Sequence, residues 1–77
     1  MMTHINIIEK IQMYLPNNIG IKIKREGSKT MVKMNRGRKY ATLHLDGNKA
    51  SLKLNKKIIS IDYDFEKILK KITSYFA

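Results

Sequence analysis

RKYATLHLDGNKASLKL, residues 38–54, alternates apolar and polar residues twice, with a turn signal between the two runs. Ala41, Leu43 and Leu45 alternate with Arg38, Tyr40, Thr42 and His44; past Asp46-Gly47-Asn48, Ala50, Leu52 and Leu54 alternate with Lys49, Ser51 and Lys53. A period of two marks a half-buried strand, and Asp-Gly between two such runs is a strong hairpin signal. Two antiparallel strands are expected, over roughly 38–45 and 49–54. Each has one apolar side and one side of cationic or hydrogen-bonding residues.

The same period extends in both directions. Val32 and Met34 oppose Met31 and Lys33 in a strand over roughly 29–35, which Asn35-Arg36-Gly37 turns into the next. Ile19, Ile21 and Ile23 alternate with Lys22 and Lys24 before the Gly-containing turn REGSK, and after Asn55-Lys56-Lys57 the segment IISI supplies a short fifth strand. Flanking these are two segments of helical period. Thr3 caps a helix over roughly 4–15 with Ile5, Ile8, Ile11 and Leu15 on one stripe, stopped by Pro16. A second helix starts near Asp62 or Asp64 and lines up Phe65, Ile68, Leu69, Ile72 and Phe76.

The order α-β-β-β-β-β-α, with tight turns and one apolar stripe per helix, predicts a two-layer α+β domain over residues 1–77. An antiparallel meander sheet carries both helices on one face. A chain of 77 residues has room for one such domain. Its covered side collects Ile19, Ile21, Ile23, Val32, Met34, Ala41, Leu43, Leu45, Ala50, Leu52, Leu54, Ile59 and Ile61. The other side collects Lys22, Lys24, Lys29, Met31, Lys33, Arg38, Tyr40, Thr42, His44, Lys49, Ser51 and Lys53, and no helix is left to cover it.

Charge follows the same division. The net charge is +10, and residues 1–18 and 58–77 are each neutral, so the whole excess lies in 19–57, where twelve cations meet Glu26 and Asp46. Charge added for solubility alone would spread over the helices as well. Cysteine is absent, which excludes disulfides and thiolate metal sites and fits a reducing cytoplasm. No apolar run approaches the roughly 18 residues of a membrane span, and residues 1–18 lack the basic and apolar regions of a secretory leader, so a soluble, intracellular protein is expected.

A concentrated cationic face neutralises phosphates and releases their counterions, so the expected partner is DNA or RNA held by its backbone, with little sequence readout. Lys22, Lys24, Lys33, Arg38, Lys49 and Lys53 are expected to grip phosphates. Arg36 and Lys39 reach in from the NRGRK turn, His44 donates from the face, and Tyr40 offers a ring for stacking. EGSK and NRGRK are expected to bring Ser28, Lys29, Arg36 and Lys39 together at one end of the sheet. The alternative is a protein-interaction module: an acidic protein partner, or a homodimer with Met31, Tyr40 and Ile58 at its centre.

Catalytic, metal and cofactor patterns are weak. Gly27-Ser28-Lys29-Thr30 suggests a phosphate-binding loop, but Lys22 stands where the motif's first Gly belongs and a strand follows in place of a helix. Asp62, Asp64 and Glu66 at spacing two fit capping of a helix start better than a metal site. His4 and His44 lack a Cys or Ser partner at catalytic spacing. The expectation is a non-enzymatic domain with no metal and no cofactor.

MVKMNRGRKYATLHLDGNKASLKLN (31–55), followed by DYDFEKILKKITSYF (62–76), resembles a small uncharacterised domain family. Its members occur alone or appended to restriction-endonuclease-like domains. Arg36, Gly37 and Arg38 match that family's basic turn, Tyr40 its aromatic, Lys49 its later basic turn and Tyr75 its terminal aromatic. KKIISIDYDFEKILKKI (56–72) is similar to the last strand and helix of the single-stranded-DNA-binding transcriptional coactivator family. Neither resemblance implies a reaction; both imply association with nucleic acid.

Overall fold

The computed structural model describes residues 3–77. Helix α1 covers His4–Tyr14, strands β1 to β5 cover Gly20–Glu26, Lys29–Arg36, Lys39–Asp46, Lys49–Leu54 and Lys57–Ile61, and helix α2 covers Phe65–Phe76. The sheet order is β1-β2-β3-β4-β5 with every neighbouring pair antiparallel, the expected meander. Helix starts follow from short polar side chains. Thr3 and Asn6 form a reciprocal capping box at α1, and the Asp64 carboxylate accepts from the Lys67 N–H at α2. Leu15 ends α1 with extended backbone ahead of Pro16.

All four hairpins have loops of two residues, closed by the pairs Glu26–Lys29, Arg36–Lys39, Asp46–Lys49 and Leu54–Lys57. The first loop residue is in the left-handed region each time: Gly27, Gly37, Gly47 and Asn55 have φ of 61°, 62°, 59° and 57°. Among the described residues the second loop position never has positive φ, which is the type II′ pattern, matched to the twist of the flanking strands. Loops this short fix the register, and register decides which side chains share a face.

Successive hairpins therefore turn at alternate ends of the sheet. Gly27 and Gly47 mark one end, Gly37 and Asn55 the other. EGSK and NRGRK thus lie at opposite ends, against the expectation that they would join, because a two-residue turn at each end of β2 sends its neighbours back along its full length.

The core holds Ile7, Ile8, Ile11 and Leu15 from α1 and its exit, Ile68, Ile72 and Phe76 from α2, with Ile19 and Val32, Met34, Ala41, Leu43, Leu45 and Leu52 from the sheet. Both helices share one cluster with one side of the sheet. Fully burying a side chain of this size contributes roughly 1.5–3 kcal/mol, so this layer carries the stability of the domain. Two residues depart from expectation: Ile23 has the helix-side parity but is 40% exposed on the edge strand β1, where Ile21 is half-buried, and on α1 Ile5 is exposed while its neighbour Ile7, outside the expected stripe, is fully buried.

Candidate nucleic-acid interface

Register resolves the uncovered face into rows that cross the strands. At its middle Lys22 faces Lys33, Lys33 faces Thr42, Thr42 faces Lys53 and Lys53 faces Ile58. With strands about 4.8 Å apart, the three lysines span about 14 Å. Beside it runs Lys24–Met31–His44–Ser51–Ser60. On the other flank lie Gly20, Asn35 and Tyr40, the last 59% exposed.

The rows differ in charge. At the Gly27/Gly47 end the order is Glu26–Lys29–Asp46–Lys49, so each cation has a carboxylate on the facing strand and the row is neutral. The middle row has no such partner. Lys22 and Lys33 are like charges directly opposite one another, an arrangement that destabilises a sheet. The two rows differ in which charges face each other across the strands, since among the described residues no ion pair joins a lysine of either row to an acid. Positive potential is therefore concentrated at the middle of the face and toward the Gly37/Asn55 end, where Arg38 occupies the loop. Lys49, expected to reach phosphate, sits in the neutral row beside Asp46.

Arg36 and Lys39 depart from the expected arrangement. They pair with each other across the Gly37-Arg38 loop and carry the parity of Met34 and Ala41, so they belong to the helix side of the sheet. The Lys39 Nζ donates to the Tyr75 main-chain oxygen at 3.0 Å and lies 5.7 Å from the centre of the Tyr75 ring. A cation here complements the negative end of α2, whose own last turn has no basic residue. Tyr75, the terminal aromatic of the family resemblance, thus packs with Lys39 away from the open face.

His44 is half-buried on the open face between Met31 and Ser51. With Lys24, Ser60 and Ile58 these residues line a shallow hollow of about 610 Å³. A second hollow, of about 410 Å³, lies toward the other end between Gly20, Lys22, Lys33, Asn35, Tyr40 and Thr42. His4 has a structural role that its place in the sequence does not signal. A carbonyl only accepts, so the His4 Nε2 donates to the Gly47 carbonyl at 2.7 Å, while Nδ1 is hydrogen-bonded to the Thr30 hydroxyl at 2.8 Å.

The acidic run at α2 is explained by capping and pairing. Asp64 is the N-cap, and Asp62 accepts from the Lys67 ammonium at 2.6 Å, a hydrogen bond and ion pair that hold the Asp62 carboxyl below its ordinary value. Among the described residues no three His, Cys, Asp or Glu side chains cluster as a metal site would require, and no helix is long and apolar enough to cross a membrane. Comparison with protein-family models, curated proteins and solved structures returns no match to this chain.

Proposed function

We propose that this domain is a non-enzymatic, cytoplasmic nucleic-acid-binding module that holds the phosphate backbone of DNA or RNA on its open sheet face. The observation that carries the reading is the uncompensated middle row. Lys22 and Lys33 stand directly opposite each other with Lys53 two strands further on, while the row ending in Lys49 is neutralised by its own acids. Like charges held face to face cost stability in the free domain, and a polyanion laid across the row turns that cost into attraction. The cations that contact phosphate in this reading are Lys22, Lys24, Lys33, Lys53 and Arg38. Arg36 and Lys39, on the helix side, contribute to the general field.

Fluorescence anisotropy with labelled single-stranded DNA, duplex DNA and RNA of one length, titrated over a range of salt, tests this. Five phosphate contacts give a log K against log salt slope of about −4.5 on duplex and about −3.5 on a single strand. Lys53→Glu weakens all sequences alike, because phosphate contacts carry no base information. Absence of binding at low salt, or a slope near zero, overturns the reading. In that case the exposed Ile58 and half-buried Met31 of the larger hollow favour the second reading, a homodimer or an acidic protein partner. Light scattering of the purified domain measures the dimer directly.

A further inference from the structure

The smaller hollow on the open face has the make-up of a seat for one unpaired base. It lies beside the lysine row, with a volume of about 410 Å³ bounded by Gly20, Lys22, Lys33, Asn35, Tyr40 and Thr42. Tyr40 is 59% exposed on a sheet surface that no helix covers, and its main chain is pinned. Its N–H donates to the Asn55 side chain at 3.1 Å and its carbonyl accepts from the Asn55 N–H at 2.9 Å. With its backbone fixed, the ring has only two side-chain torsions left to order when a flat partner stacks on it, a low cost for so large a contact surface.

Asn35 stands opposite Tyr40 on β2. Its amide has no hydrogen-bond partner among the described residues, so it retains the donor and acceptor that a base edge needs. The third member of the row explains the space. A Cβ at Gly20 would meet the Asn35 Oδ1 at 2.7 Å, so glycine is what lets the amide lie across β1 at this point. Lys22 and Lys33 flank the hollow on the phosphate-binding row. Aromatic face, free amide and flanking cations are the three groups that a nucleotide removed from a duplex presents surfaces to.

We infer that a single-stranded nucleic acid crosses the strands along Lys22, Lys33 and Lys53 and seats one base on the Tyr40 ring, its edge toward the Asn35 amide. This rests on the phosphate-binding reading and adds a ligand class to it: a single strand in preference to a duplex, whose stacked bases cannot enter the hollow.

The test uses the full chain and a single-stranded oligonucleotide carrying the fluorescent base 2-aminopurine, beside a duplex of the same length. Stacking on Tyr40 quenches the 2-aminopurine emission of the wild-type complex. Tyr40→Ala removes the quenching and lowers the ratio of single-strand to duplex affinity by about 5-fold to 150-fold, the range equivalent to one stacked base. Tyr40→Phe keeps both, since the ring suffices, and Asn35→Ala narrows the affinity differences among the four homopolymers. An unchanged ratio in Tyr40→Ala with wild-type circular dichroism, or unquenched emission in the wild-type complex, overturns the base seat. If those results come with a steep salt slope on both ligands, phosphate binding stands without it. If the wild-type chain binds neither ligand, both readings fall together.

Discussion

Thr30 is 3% exposed, the one buried polar side chain among the described residues, and it sits on β2 in line with Val32 and Met34. Its hydroxyl is matched by His4, whose other ring nitrogen reaches the Gly47 carbonyl, so one imidazole ties the start of α1 to strand β2 and to the β3–β4 turn. Replacing the hydroxyl by a methyl of the same shape leaves Nδ1 without its hydrogen-bond partner. Thr30→Val is therefore expected to lower stability by about 1–3 kcal/mol in urea unfolding, despite adding apolar volume. An unchanged or raised midpoint would assign the clamp no energetic role. Neither partner is legible in the sequence, because the bonds span 26 and 43 positions and no local pattern encodes them. Lys39 escapes a sequence reading for a related reason. Its place beside the turn hides its pairing with Arg36, and with it the parity that sends its side chain to the end of α2.

The turns are where local sequence and tertiary register agree most closely. Three have Gly at the left-handed position, and Asn55 takes the fourth with an added bond from its side chain to the Tyr40 N–H. Asn55→Gly keeps the backbone and loses the bond; Asn55→Ala loses the bond and adds a left-handed penalty of roughly 1–2 kcal/mol. Thermal melts should rank wild type above Asn55→Gly and Asn55→Gly above Asn55→Ala, with about 4–8 °C per kcal/mol in a domain of this size. A reversed order of the two variants would contradict the turn assignment. The start of α2 gives a pH signature. The hydrogen bond and charge of Lys67 lower the Asp62 carboxyl from its ordinary 3.8, and Asp62 in turn raises Lys67 from its ordinary 10.5. A lowered carboxyl contributes stability above its unfolded value and loses it as pH falls through the folded one. A raised ammonium contributes below its unfolded value and loses it as pH rises through the folded one. The difference between wild type and Asp62→Asn is thus expected to be small and level at neutral pH, because both groups face solvent, and to vanish in acid and in strong base. A difference that grew in acid would refute the pairing.

Taken whole, the molecule divides into a layer that holds it together and a face that does not. The layer is legible in the sequence because two periods suffice to describe most of it: 3.6 in the helices and two in the strands place the core residues except at Ile5 and Ile23, which are exposed, and at Ile7, which the stripe drawn through Ile5, Ile8 and Ile11 leaves out and which is fully buried. On the face, polarity is legible and the distribution of charge is not. Which lysine meets an acid and which meets another lysine depends on cross-strand register, and a strand read singly has none. In the proposed reading, that distribution is what distinguishes a binding surface from one that is merely soluble. A surface shaped for stability alone would place an acid opposite Lys22, as it does opposite Lys29 and Lys49; here Lys33 stands there. Lys33→Glu converts the like pair into an opposite pair, with Lys24 diagonally near, and should raise stability by about 0.2–1 kcal/mol. If the row binds phosphate, the same substitution weakens nucleic-acid affinity and flattens the salt slope by about 0.7–0.9, the share of a single neutralised phosphate. Opposite signs in the two measurements are the mark of residues kept for binding at a cost in stability. Decreases in both would make Lys33 a packing residue, and a gain in stability at undiminished affinity would move the bound strand off this row.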